Sequence, residues 1–146
     1  MGRSVVEGKL VVPSRLEEVG RVEQQLLTAI AEHGYAGSDC FAIKLALEEA
    51  LANAIKHGNA SDPAKQVQVT YQVDPARVRI EVCDEGPGFD PEDVPDPTLD
   101  ENLEKPFGRG VMLMRTYMTE VSYNASGNCV ILVKARSSEQ ASSKSS

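Results

Sequence analysis

Two runs of strict apolar–polar alternation, 66–73 and 77–83, are separated only by Asp74-Pro75-Ala76. A period of two puts every second side chain on one face of a strand, and a three-residue break containing proline has room only for a turn. The pair predicts an antiparallel hairpin. A second hairpin is predicted from 120–124 and 128–136 around Ala125-Ser126-Gly127, and 5–12 reads as a further strand ended by Pro13. Between the strands lie helical patterns. Ser14-Arg15-Leu16-Glu17 fits a capping box and predicts a helix to about Glu32, with Gly34 at its end. Ser38 predicts the cap of a second helix, which carries Leu47, Leu51 and Ala54 as its apolar stripe and stops at Gly58. The stretch 111–118 reads as a short apolar helix.

A chain of 146 residues suits one domain with a single core. Its 41% hydrophobic and 25% charged residues place it among soluble globular proteins. No apolar run is long enough for a bilayer span, and the opening Met-Gly-Arg-Ser lacks the apolar stretch of a signal peptide. Gly2 does not complete a myristoylation signal, because Val6 stands where serine or threonine is needed. The expected location is the cytoplasm, with no membrane partner. A net charge of −7 argues against nucleic acid as a partner, because phosphate backbones need a basic footprint. Cys40, Cys83 and Cys129 are odd in number, far apart and in no metal-binding spacing, so reduced, structural thiols are predicted. The segment 89–107 contains Pro91, Pro95, Pro97 and Pro106 among many acids. Structureless loops of that length usually serve as lids or are disordered. The serine-rich tail 137–146 is predicted to be disordered, which leaves 1–136 as the folded domain.

Three short segments carry the chemistry. Glu49, Asn53 and His57 recur every four residues on the second predicted helix, an advance of only about 40° per step, so they form one polar ridge beside the apolar stripe. A carboxylate there can accept a proton, and an amide oxygen one turn on can ligate Mg²⁺. Polar helix edges are also commonplace, so the ridge alone decides little. Asp84 closes the second strand of the first hairpin and is followed by Gly86, Pro87 and Gly88. These are turn formers, yet they also hold a backbone open for something flat. An acceptor-only carboxylate at the base of such a cleft suits the exocyclic amino group of adenine. Gly108-Arg109-Gly110 precedes the short apolar helix, where free N–H groups and the helix dipole can hold phosphate oxygens, with Arg109 or Lys105 adding charge. No Gly-x-x-x-x-Gly-Lys-Ser/Thr loop, no third dinucleotide-fold glycine, and no His-Arg-Asp or Asp-Phe-Gly element occurs.

In this order and at these separations, the three segments resemble the N, G1 and G2 boxes of the GHKL (Bergerat-fold) ATP-binding superfamily. The likeness is greatest to the small anti-sigma factor serine kinases of bacterial partner-switching systems. Leu47-Glu48-Glu49-Ala50-Leu51-Ala52-Asn53-Ala54-Ile55-Lys56-His57-Gly58 looks like their N box. Gly108-Arg109-Gly110-Val111-Met112-Leu113-Met114-Arg115, then Met118-Thr119-Glu120-Val121, looks like their G2 box and following helix. The resemblance runs over about 5–136 and does not extend to a complete sensor histidine kinase.

The resemblance implies an α+β two-layer sandwich, with a mixed, largely antiparallel sheet and three helices on one face. It implies ATP and Mg²⁺ as cofactors, Glu49 as general base, Asn53 as Mg²⁺ ligand and His57 within the cofactor site. Asp84 would contact adenine, Gly86 and Gly88 would shape the purine pocket, Gly108 and Gly110 would cradle phosphates, and 89–107 would be the ATP lid. The implied reaction is γ-phosphoryl transfer to a serine or threonine of a STAS-domain anti-sigma factor antagonist, with a sigma factor as a further partner and a homodimer as the assembly. One departure bears on the reaction. Where some relatives carry a lid arginine two residues before the first G2 glycine, this chain has Pro106, with Lys105 beside it. Lysine is a point charge without arginine's bidentate fork. The alternative is therefore a nucleotide-dependent binding module that sequesters a partner without phosphorylating it. An ATP-binding domain in a two-component pathway is a third reading, weakened because the sequence has no receiver or phosphoacceptor histidine domain.

Overall fold

The computed structural model describes residues 5–60, 62–86 and 106–137, with backbone alone for 106–111. The segment 87–105, with Gly88, Lys105 and most of the expected lid, and the tail 138–146 lie outside the described residues. The elements are β1 (Val6–Pro13), α1 (Glu18–Glu32), α2 (Gly37–Asn53) continued by a π-helical turn (Ala54–Gly58), β2 (Gln66–Val73), β3 (Arg77–Cys83), α3 (Pro106–Tyr117), β4 (Glu120–Tyr123) and β5 (Cys129–Ala135).

Both hairpins form as the alternation requires. Asp74 Oδ1 accepts from the N–H groups of Ala76 and Arg77 at 2.7 and 2.8 Å and so closes the β2–β3 turn. Gly127, at φ 77°, turns the β4–β5 hairpin in a conformation that glycine adopts without steric cost. The strand order is β1-β2-β3-β5-β4. Every described neighbour pair is antiparallel, which is the expected architecture without its parallel component. The connection from β3 through α3 makes β4 run parallel to β3, but β5 inserts between them and pairs with both.

The apolar face of the sheet, including Val67, Val69, Ile80, Val82 and Leu132, meets one helical layer. Val22, Leu26 and Ile30 on α1, Ile43, Leu47 and Leu51 on α2, and Ala54 just beyond its end are almost fully buried against it. Leu47, Leu51 and Ala54 are the stripe that the sequence predicts, and the α1 residues and Ile43 extend the same apolar packing. At the sheet's far end Arg136 donates to the carbonyls of Pro75, Gly34 and His33 and lies 4.1 Å from the Tyr35 ring centroid. It caps the carbonyl end of α1 with a cation, where the helix dipole favours one. Among the described residues no helix is long and apolar enough to cross a membrane.

Three local expectations are corrected. Ser14 does not cap α1: it is buried, its hydroxyl accepts from Asn59 at 3.1 Å, and its N–H donates to the Lys65 carbonyl at 3.0 Å. A preceding turn, closed by Glu18 N–H to Arg15 O and Val19 N–H to Leu16 O, starts the helix instead. Ser38 is likewise not a cap, because α2 opens at Gly37 after Ala36 and neither end has a side-chain cap. Cys83 and Cys129 are not separate reduced thiols but a disulfide. Their separation of 46 residues hides the pairing in sequence, whereas the β3–β5 register sets them directly opposite each other on the uncovered face.

One buried acid predicts a pH effect. Glu23 on α1 is 8% exposed, and its Oε2 has no hydrogen-bond partner among the described residues. Burial first, then the adjoining Glu48 carboxyl, pushes it from 4.5 up to about 7, with Lys44 opposing. A raised acid favours folding in its protonated form. That stability is present in full below the unfolded value and is lost as pH rises through about 7. Between about pH 5 and about pH 8 the melting temperature of the parent is therefore expected to drop more than that of Glu23→Gln. Parallel melting profiles for the two proteins would show that Glu23 carries no such proton.

Candidate functional site

The covered end of the sheet opens into a cavity of about 220 Å³ between the end of α2, the end of β3, α3 and the β4–β5 hairpin. Asn53, His57, Gly58 and Asp84 all line it, so the first and second sequence segments converge on one place. Pockets that bind small molecules combine apolar walls with a few placed polar groups, and this one has that make-up: Ala50, Val82 and Met114 beside the Asn53 amide and Asp84 carboxylate.

The polar ridge is not a continuous α-helical edge. After Asn53 the chain widens into a π-turn, in which Asn59 N–H reaches back five residues to the Ala54 carbonyl at 2.8 Å. His57 still faces the cavity although the regular 3.6 spacing ends before it. The Asn53 Nδ2 is buried and has no hydrogen-bond partner among the described residues. A buried amide of this kind costs free energy unless something satisfies it, and the adjoining cavity is where a polar ligand would do so. That orphaned donor calls for an acceptor oxygen, which the phosphates of a nucleotide such as ATP would offer at this site.

Glu49 is half-buried one turn before Asn53 and is not part of the cavity wall. Its neighbour Glu48 is committed elsewhere, with its carboxylate 3.2 Å from Lys44 Nζ and beside Glu23 on α1. Of the two adjacent acids, Glu49 is thus the one on the side of Asn53.

Asp84 sits where β3 ends. Its Oδ1 accepts from Gly86 N–H at 2.8 Å, and its own N–H donates to the Asn128 carbonyl at 2.9 Å. Burial raises its pKa above the ordinary aspartate value, while the Gly86 hydrogen bond and Lys65 pull the other way. Two glycines make this packing possible. A Cβ on Gly58 would collide with the Asp84 carboxylate, and one on Gly86 would collide with the Gly58 carbonyl. Gly86 lies beside Asp84 as its place in the sequence requires, whereas the seat of Asp84 upon Gly58 had no signal in the sequence.

The third segment is displaced from expectation. Gly108 and Gly110 do not precede a helix but lie inside α3, which opens at Pro106. Proline is preorganised for the first helical position, where its missing N–H costs nothing. Only the first turn leaves N–H groups unpaired, which takes in Gly108 and not Gly110. Arg109 is on the same turn, while Gly88 and Lys105 lie outside the described residues.

Sequence reasoning missed Met114, Tyr123 and Asn128 on the opposite wall. Tyr123 is the most informative of them: burial pushes its phenol up to about 12, against the opposing charge of Arg115, so it faces the cavity protonated. The alternation of β4 was the available signal, since it sets Val121 and Tyr123 on the covered face.

Residues 12–134 match the family model described as a histidine kinase-like ATPase domain. The chain is 33% identical to the serine-protein kinase RsbW of Bacillus licheniformis over 117 residues, which is 75% of this chain and 72% of that one. It is 30% identical to the serine-protein kinase RsbW of Bacillus subtilis over 141 residues, which is 90% of this chain and 87% of that one. Among solved structures, the RsbU and RsbW domains of a Mycobacterium tuberculosis protein superpose with a TM-score of 0.62 at 19% identity. That match covers 90% of this chain but spans only 32% of the longer protein, and it shows a shared fold.

Proposed function

The chain belongs to the histidine kinase-like ATPase domain family, and within it to the RsbW serine-protein kinases, and from that premise we propose that it transfers the γ-phosphoryl group of ATP to a serine or threonine of a STAS-domain antagonist. It is a serine/threonine protein kinase of the anti-sigma factor type. Phosphorylation releases the antagonist and frees the kinase to hold a sigma factor. The observation that carries the reading is the unpartnered Asn53 amide buried beside the cavity into which Asp84 also faces.

Asp84 binds the adenine amino group, its carboxylate seated where Gly58 and Gly86 leave room for it. The first turn of α3, with Gly108, receives phosphate oxygens, and Arg109 adds positive charge. Asn53, through its Oδ1, would hold Mg²⁺, and the ion would supply neutralisation of the phosphate charge. Glu49 accepts the proton of the substrate hydroxyl as its oxygen bonds to the γ-phosphorus and ADP leaves. Catalysis here is mostly a matter of position and charge, which a groove of fixed backbone donors and carboxylates supplies.

The test is transfer of label from γ-labelled ATP with Mg²⁺ to the STAS-domain proteins encoded in the same genome, with Glu49→Ala alongside. Label on one of them, absent with the variant, is the expected result. ATP binding without any transfer would replace this reading with that of a nucleotide-gated module that sequesters its partner, and would direct attention to Pro106.

A further inference from the structure

Asn59 is the most completely engaged polar side chain near the cavity, and the reaction as set out above does not use it. It is fully buried, at 0% exposure. Its Nδ2 donates to Ser14 Oγ at 3.1 Å and to the Gln66 carbonyl at 3.0 Å, and its Oδ1 accepts from Glu85 N–H at 2.7 Å. Its own N–H closes the π-turn onto Ala54. The side chain thus ties the turn that carries His57 and Gly58 to three places: the Ser14 hydroxyl after β1, the start of β2, and the residue directly after Asp84. Glu85 returns the tie, its Oε2 accepting from Gln66 N–H at 2.6 Å. Amide side chains that use both donors and the acceptor in a dry setting are geometrically over-determined, and such networks hold one arrangement.

We infer that Asn59 is a positioning residue that aims the Asp84 carboxylate and thereby sets the preference for adenine over guanine. This rests on the reading of Asp84 as the purine contact. Adenine offers an amino donor where guanine offers a carbonyl oxygen, so an acceptor-only carboxylate rewards the first and repels the second. That discrimination depends on where the carboxylate stands. Asp84 is held on three sides. Gly86 N–H binds its Oδ1, Asn128 takes its N–H, and the Asn59–Glu85 bond fixes the peptide that follows it. Of these, only the Asn59 bond links the Asp84 loop to the helical segment that carries Asn53, and so keeps the base end of the site in register with the phosphate end. Removing it frees the loop while the carboxylate itself is still present.

The experiment measures ATP and GTP affinity by calorimetry for the parent, Asn59→Ala, Asn59→Asp and Asp84→Asn. With Asn59→Ala, ATP affinity is expected to fall by about tenfold, the worth of one charged hydrogen bond, with GTP affinity changed much less, so the ATP-to-GTP ratio collapses. Asn59→Asp keeps an acceptor for Glu85 N–H and is expected to retain the ratio to within about threefold while losing some stability. Should Asn59→Ala not unfold cooperatively, Asn59→Ser, too short to reach Glu85, stands in for it with the same expectation. Equal loss of both nucleotides, with the ratio kept, would make Asn59 merely structural and overturn the inference. Asp84→Asn separates the two levels. If it leaves the ratio unchanged, the purine-contact reading itself fails. If it lowers the ratio while the Asn59 variants do not, only the inference about Asn59 fails.

Discussion

Glu49→Ala is expected to lower the rate of phosphoryl transfer by about 10²–10⁴-fold while leaving ATP affinity within about twofold of the parent. The size follows from losing a positioned proton acceptor, and the unchanged affinity follows from the geometry, since Glu49 stands one turn away from the cavity wall. Its neighbour provides an internal control. Glu48 is engaged with Lys44 at 3.2 Å and with Glu23, on the side of α1, so Glu48→Ala is expected to leave transfer near the parent rate. Single-turnover transfer and calorimetry on both variants decide the matter. Loss of transfer with Glu48→Ala and its survival with Glu49→Ala would reverse the assignment of the base.

Asp84→Asn and Gly58→Ala are expected to converge on the same loss, a fall in ATP affinity of about tenfold or more. The first removes the charge from the hydrogen bond to adenine. The second leaves the charge but adds a methyl group where the Asp84 carboxylate now lies, so the carboxylate must move off its mark. A titration adds a signature that steric damage cannot copy. Because burial raises the Asp84 pKa, ATP affinity should weaken on acidification at a higher pH than an ordinary aspartate would impose, and Asp84→Asn should abolish that dependence. Calorimetric affinity that is unchanged in Asp84→Asn, with the same pH profile as the parent, would take Asp84 out of the pocket.

How far the site was legible differs residue by residue. Asn53, His57 and Asp84 line one cavity, with Gly86 hydrogen-bonded to Asp84, a convergence that the family resemblance implied and that spacing alone did not. The start of the third helix was expected about a turn too late, so Gly108 and Gly110 fall inside it, because Pro106 opens α3 and the apolar pattern alone does not register a proline start. Tyr123 carried a local signal in its alternation that was not followed to the cavity. Asn59 carried none: a single asparagine after a glycine reads as a helix stop, and only folding shows that its amide spans Ser14, Gln66 and Glu85.

What the amino-acid sequence determined by itself is what depends on near neighbours: the two hairpins, the Leu47, Leu51 and Ala54 stripe of the second helix, and the Gly34 helix end. These follow from periods of 2 and 3.6 residues and from turn chemistry, which act over a few positions along the chain. Tertiary structure alone decided the insertion of β5 between β3 and β4, the Cys83–Cys129 bond across 46 residues, the use of Ser14 as an anchor in place of a cap, and the seat of Asp84 upon Gly58. Each of these joins residues far apart in the chain, and their hydrogen bonds and contacts exist only once the covered face of the sheet has closed against its helices.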